Sequence, residues 1–376
     1  MKNVLFIAPT TYQLPLSENL KKKFITLSEV CNVSVLAFAN NKTVLNETYG
    51  NFYLNKKISN RFINYFRIIQ ISIFTTYKIV KKEKIDIVCF QDPVSSFFSI
   101  LFLKARGADV KIIVETHGDF IETLSLEKNL LLPRLYKKLF YIMAKYSIGK
   151  SNIIRAVSSS TEKQVLDIDS SKSIVRFPAW VDFKDFKNVE PGSFSKDKFN
   201  ILFIGSVTDR KKPHMIIEAI QIINDESYHL SIVGPTPNDK YFLELKDVID
   251  KSGLQNQVSF TGAVDRESVK EYYSTSNLMI LPSISEGLAR VIFESQVASC
   301  PVLVTDAPGM GDIVIDGQTG YVFESNNTDS LIAKIVYIKN NYEEASLVAK
   351  NAKEFILSNF SEDNFKFSFK KLFDTV

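Results

Sequence analysis

Two carboxylates, Glu286 and Glu294, stand eight positions apart in the stretch Leu281-Pro282-Ser283-Ile284-Ser285-Glu286-Gly287-Leu288-Ala289-Arg290-Val291-Ile292-Phe293-Glu294. A strand pattern ends near Ser283, and a helical pattern runs from about Leu288 through Ala298. If the segment were helical throughout, that spacing would separate the two carboxyl groups by about 12 Å at 1.5 Å per residue. This is too far for an acid–base pair working on one bond. It suits two separate clamps for hydroxyl groups along an extended ligand. Gly287 and Leu288 leave backbone N–H groups accessible at the N-terminus of that helix, where a diphosphate could bind. Taken alone, the pair better fits an ordinary reading, with Glu286 as a capping carboxylate and Glu294 as an exposed helix residue.

Two further segments could act on a ligand. Ile201 to Gly205 reads as a strand ending in glycine. The basic loop Arg210-Lys211-Lys212 follows, then Pro213 and a helical pattern from His214. Gly205 permits a sharp turn, and cations beside a helix N-terminus suit a phosphate. A basic surface loop with no ligand is the alternative. The third segment, Pro301 to Gly320, carries Pro308-Gly309, Gly311 and Gly317. It could approach a ligand closely or be ordinary turn chemistry.

Short apolar runs rich in Val and Ile position these segments. In the first half they cover residues 4–8, 33–38, 85–90, 110–115, 153–157 and 174–176. In the second they cover 200–204, 230–233, 258–260, 278–281, 302–305 and 321–323. Helical patterns, such as residues 61–82 and 135–146, lie between them. Near-continuous apolar strands separated by helices predict parallel sheets covered on both faces. The chain has 376 residues, which suits two domains. Pro, Gly and Ser mark residues 188–198 as a linker. The expected organisation is an N-terminal domain over 1–187 and a C-terminal domain over 199–358, with a last helix over 360–376 packing back on the first. Two doubly wound, Rossmann-like domains would then face each other across a cleft, with ligands outside the carboxyl ends of the strands.

Charge is unevenly spread, at +11 over residues 1–190 against −7 over the remainder. The excess lies in residues 56–84 and 128–150, interleaved with aromatic and aliphatic side chains. Such segments fit either an anionic membrane surface or a solvated helix face over the core. No nucleic-acid motif accompanies them. No run reaches the roughly 18 apolar residues of a membrane-spanning helix. Cys31, Cys89 and Cys300 lack metal-ligand spacing and are expected to be reduced and mostly buried, in a cytoplasmic setting. The first residues read directly as a strand, without the pattern of a signal peptide.

Taken together, order and spacing resemble the retaining glycosyltransferases of the GT-B fold, specifically family 4 (group 1). The resemblance rests on Lys211 with Glu218-Ala219, on Leu281-Pro282-Ser283, on Glu286 with Glu294, and on Pro301-Val302 through Gly320. Ile232-Val233-Gly234 and Phe260-Thr261-Gly262 add to it. It is specific over residues 200–323 and weaker over the first domain, where Glu115-Thr116-His117-Gly118 looks like an acceptor-side histidine loop.

The resemblance implies a nucleotide-sugar donor, a UDP- or GDP-sugar, and no further cofactor. Glu294 would hold the ribose hydroxyls and Glu286 the sugar hydroxyls. Lys211 would pair with the diphosphate, helped by Gly287 and Leu288. Gly262 and Ala263 would lie near the base, and His117 by the transferred sugar. The acceptor would be a glycan or polyprenyl-linked chain at the inner membrane face. No metal is needed if Lys211 and Arg290 carry the diphosphate charge. Ser206 stands where the family often has arginine, and Arg290 is the expected substitute. Cys300, Asp312 and Ala179-Trp180 also depart from the family pattern, and residues 9–15 lack its paired glycines. Rival readings are a nucleotide-sugar epimerase, a non-catalytic partner subunit, and a metal-dependent transferase using Asp167-Ile168-Asp169.

Overall fold

The computed structural model describes residues 1–57, 73–118, 120, 133–195, 197–286 and 289–376. It divides into two compact units: Met1–Trp180 with Glu362–Val376, and Val181–Ser361.

The first unit is built on eight strands: β1 (Asn3–Tyr12), β2 (Asn32–Ala39), β3 (Thr43–Glu47), β4 (Gly50–Lys56), β5 (Ile87–Phe90), β6 (Lys111–Thr116), β7 (Ile153–Ala156) and β8 (Ile174–Arg176). They pair in the order β3-β4-β2-β1-β5-β6-β7-β8. All neighbours are parallel except β3 and β4. The central strands are apolar on both faces because both are covered. Alternate residues feed two cores, one holding Phe6, Phe24 and Phe52, the other Leu5, Val88 and Ile112. The helix Glu362–Thr375 buries Phe365, Phe369, Leu372 and Phe373 in the first of these. Phe369 lies edge-on to Phe6 and Phe177, with ring centres 6.0 and 5.0 Å apart.

The β3–β4 hairpin is absent from the sequence expectation. β3 is largely exposed, and β4 buries Phe52 and Leu54 between polar neighbours, with no run of β-branched side chains to mark either strand. Gly50 fixes the turn with φ +149°, and a Cβ there would come within 2.9 Å of the Val33 carbonyl oxygen. The helix expected over 61–82 is seen over residues 73–82; its earlier part lies outside the described residues.

The second unit holds β9 (Phe199–Ile204), β10 (Tyr228–Val233), β11 (Val258–Gly262), β12 (Leu278–Leu281), β13 (Val302–Thr305) and β14 (Tyr321–Phe323). The order is β11-β10-β9-β12-β13-β14, all parallel. The chain thus builds outward from β9 in one direction, then returns and builds outward from β12 in the other. A crevice opens where the direction reverses, outside the carboxyl ends of β9 and β12.

Three expectations shift. Residues 181–187 were assigned to the first domain, yet Phe183 and Phe186 are buried in the second unit's core. The presumed linker 188–198 also packs there. Val189 is buried, and Phe194 stacks on Tyr342 with ring centres 4.1 Å apart. Burying these apolar side chains outweighs the turn-forming tendency of the neighbouring Pro191 and Gly192. The helix expected from Leu288 runs over Arg290–Val297. Glu286 therefore lies in the loop before it, and the 12 Å helical spacing between the two glutamates does not apply.

No helix among the described residues is long and apolar enough to cross a membrane. Cys31, Cys89 and Cys300 are free and buried.

Strand ends converge at glycine. Gly205 N–H donates to Val233 O at 2.9 Å, and Gly234 N–H to Gly262 O at 2.8 Å. Gly234 has φ +142°, and a Cβ there would sit 2.2 Å from Gly205 O. Gly234→Ala should therefore cost on the order of 3 kcal/mol of strain. For a unit of this size that lowers the melting temperature by roughly 6–12 °C. Gly253, at φ +70° with nothing within 4 Å of a Cβ, is the control and should lose clearly less on substitution by Ala. Equal losses at the two positions in a thermal melt would contradict the steric account.

Candidate functional site

The loops after β9 and β12 meet at the reversal point. Lys211 lies in the first. Its side chain runs over Gly205, filling the space where a Cβ would lie 2.9 Å from Nζ. Nζ then reaches Glu286 Oε1 at 3.2 Å, and Arg210 Nη1 reaches the same oxygen at 3.2 Å. Ser283 Oγ, fully buried at the end of β12, donates to it at 2.9 Å. The backbone holds both loops in register. Ile284 N–H donates to Arg210 O at 3.0 Å and Glu286 N–H to Pro308 O at 3.2 Å. Arg210 also donates to Ser285 O. Thr305 Oγ1 ties the end of β13 to Ser283 O at 2.6 Å. Segments that are far apart in sequence thus form one cradle, in which two cations share one carboxylate. The remaining positive charge, partly shielded from water, favours an anionic ligand.

Glu294 occupies a second position, on the helix Arg290–Val297. Tyr273 Oη donates to its Oε2 at 3.3 Å. Burial pushes the Glu294 carboxyl above the usual carboxylate value, opposed by Arg266, the Tyr273 hydroxyl and Arg290. Arg266 is itself fixed by Asp185 Oδ2 at 2.8 Å and by Asp182 O at 2.8 Å, and its guanidinium stacks on Phe186. A partly buried carboxylate with one weak donor lacks hydrogen bonds, and a ligand carrying hydroxyl groups could supply them.

Arg290 is exposed and starts this helix. Gly262, at φ +71°, ends β11, two strands away from β9, and Ala263 follows it. Gly287 and Leu288 lie outside the described residues. His117 belongs to the first unit and follows β6. Its Nε2 lies 3.1 Å from Glu115 Oε2.

Sequence reasoning missed Tyr273, Arg266 and Arg155. Arg155 alone left a signal, as a charged residue inside the apolar strand Ile153–Ala156. The Asp167/Asp169 pattern ends a helix, and Asp169 is engaged by Ser171, whose N–H and Oγ donate at 3.1 and 2.6 Å. Among the described residues no group of three or more His, Cys, Asp or Glu could hold a metal ion.

Two doubly wound parallel-sheet units, one with a cationic cradle at its reversal point, define the GT-B architecture. HepE of Anabaena, solved with UDP, has the same fold, with a TM-score of 0.73, 14% identity and 100% of each chain covered. The family Glycosyltransferase Family 4 matches residues 27–184, and Glycosyl transferases group 1 matches residues 185–355. The chain belongs to the group 1 glycosyltransferases. An uncharacterized glycosyltransferase of Methanocaldococcus jannaschii is 30% identical over 154 residues, 41% of this chain and 42% of that one. The chain thus matches less than half of that relative's length. The capsular polysaccharide biosynthesis glycosyltransferase CapM of Staphylococcus aureus is 24% identical over 238 residues, 59% of this chain and 61% of that protein.

The raised Glu294 carboxyl makes a stability prediction. The folded state holds this proton more tightly than the unfolded chain does. Ionised Glu294 therefore costs stability, and the cost grows as pH rises from the ordinary carboxylate value through the raised one. Glu294→Gln should melt higher than the wild type near pH 8, with the gap closing toward pH 4. A melting difference independent of pH would remove the carboxyl as its cause.

Proposed function

We propose that this transferase moves a sugar, with retention at the anomeric carbon, from a nucleoside-diphosphate sugar to a glycan or lipid-linked acceptor. The carrying observation is the cradle in which Lys211 and Arg210 share Glu286. It supports an exchange of partners. The donor diphosphate takes the two cations, and the released Glu286 carboxylate accepts hydrogen bonds from the sugar hydroxyls. Glu294 takes the ribose hydroxyls, and Gly262 with Ala263 lies near the base. HepE was solved with UDP-glucose, which makes a UDP-sugar the first donor to try; a GDP-sugar is the second.

In the reaction the bond from the anomeric carbon to the diphosphate oxygen breaks, and a bond to the acceptor oxygen forms on the same face. The acceptor proton passes to the departing diphosphate. The close carboxylate pair of a retaining glycosidase has no part in this route. Lys211, Arg210, Arg290 and the backbone N–H groups of Gly287 and Leu288 stabilise charge on the leaving group. These cations take the place of a divalent metal, so turnover resists EDTA.

Glu286→Gln separates binding from chemistry. It frees the cations, so UDP should bind roughly 2–5-fold tighter, the worth of one partly exposed ion pair. Turnover should fall about 100-fold as the sugar contact weakens. Thermal shift with UDP and a donor-release assay measure the two. Weaker UDP binding would sink the exchange, and turnover abolished by EDTA would sink the metal-free route.

An acceptor at the inner membrane face, in cell-surface polysaccharide or glycolipid assembly, is the finer reading. It is supported by the helix Pro133–Lys150. Leu135, Leu139 and Ile142 form an exposed stripe there, at 61, 48 and 52% exposure. Arg134, Lys137, Lys138 and Lys145 flank it. Apolar side chains with basic neighbours suit an anionic bilayer. Co-sedimentation with phosphatidylglycerol vesicles at low salt should retain the protein. Leu139→Glu/Ile142→Glu should release it, and equal sedimentation of both would discard this surface.

A further inference from the structure

The first unit contains a buried charge group that donor binding does not use. Arg155, in β7, is 3% exposed. Its Nη1 lies 2.9 Å from Glu115 Oε1, and its Nη2 donates to Pro178 O at 2.7 Å. The guanidinium lies 4.2 Å from the ring centre of Phe177 and 4.8 Å from that of Phe369. Glu115, in β6, is 1% exposed. Its other oxygen faces His117 Nε2 at 3.1 Å, and His117 is 38% exposed. Burying such a pair often stabilises less than apolar residues of the same size would. Packing alone therefore does not account for an arginine in a strand whose other residues are Ile153, Ile154 and Ala156. The side of this group open to solvent is His117.

We infer that Glu115, anchored by Arg155, is a positioning residue that fixes the His117 ring in one plane and in the Nε2–H tautomer, turning Nδ1 outward to accept a hydrogen bond from a hydroxyl group. The identity of that hydroxyl, on the transferred sugar or the acceptor, rests on the transferase reading. The chemistry follows from the carboxylate. An ionised carboxylate only accepts, so the ring nitrogen facing it must donate, and the other nitrogen keeps its lone pair. Burial pushes the Glu115 carboxyl up, but Arg155 and His117 outweigh it and hold it down at about 2. Asp92, after β5, acts on His117 electrostatically, and Lys23 and Tyr12 act on Glu115. Among the described residues, Glu115 is the side chain bonded to the ring.

The chain has three histidines, so the tautomer is directly readable. Long-range proton–nitrogen correlation on the labelled full chain reports it at about pH 8.5, above the range of an unperturbed imidazole. His117→Gln assigns the signal. The wild type should show the Nε2–H tautomer. Glu115→Gln presents an amide that both donates and accepts, and the ring should become a mixture of tautomers. Because that variant strands the Arg155 charge, Glu115→Gln/Arg155→Met removes both charges together. It should keep the His214 and His229 signals while losing the single tautomer. Its kcat should fall about 10–100-fold through misorientation. The KM for the donor should change by less than kcat does, because the diphosphate, ribose and base contacts proposed for the donor all lie in the other unit. A folded double variant with the wild-type tautomer and kcat would overturn the inference. A wild type with the expected tautomer but no turnover on any nucleotide sugar would instead strike the transferase reading and leave the positioning role standing.

Discussion

Lys211 reaches Glu286 because Gly205 has no side chain. Its aliphatic stem occupies the space that a Cβ at Gly205 would fill, and its ammonium then lies across the gap between β9 and β12. Much else follows from this crossing. Gly205 must end its strand in a conformation that other residues rarely adopt, and Gly234 must leave room for the Gly205 carbonyl. Glu286 must be delivered by the loop after β12, which is why Ser283 and Thr305 are tied together beneath it. A bulkier residue at any of these positions would displace the cation from the place where the two halves of the sheet part.

Much of this was legible in the sequence, and for physical reasons. Strands buried on both faces must be apolar along their length, so the central β9, β12 and β13 announce themselves. Glycines with positive φ close β9, β10 and β11, where the chain must turn away from the sheet. What stayed hidden depended on tertiary partners. β3 is an exposed edge strand, and β4 alternates buried Phe52 and Leu54 with polar residues over too short a stretch to stand out. Residues 181–187 read as the end of the first domain and 188–198 as a linker until Phe183, Phe186 and Phe194 find their core. The partner of Glu294 is Tyr273, on a separate helix, and nothing local announces that contact.

Both units place a carboxylate in surroundings that disfavour its charge, yet they treat it differently. Glu115 is given a full countercharge and held ionised. Glu294 receives a phenol and more distant arginines, and its carboxyl is left raised. The first arrangement suits a fixed orienting group. The second leaves hydrogen-bonding capacity unspent, which suits a group that completes its shell only when a ligand arrives. Burial alone therefore does not predict which of two glutamates is structural; the partner supplied to each does.

The last helix has a consequence for how the protein is made. Phe369 closes the core beneath β1 and lies over Arg155, yet it emerges from the ribosome only after all of residues 181–361. At typical translation speeds that delay is roughly 10–40 s. The unit that begins first is thus the one completed last. Until then its sheet lacks one wall, and the buried pair lacks one of the two rings that cover it. The second unit needs no later segment and is free to fold in the meantime. Nascent first units, held open with apolar strands uncovered, are where molecular chaperones would find their longest window.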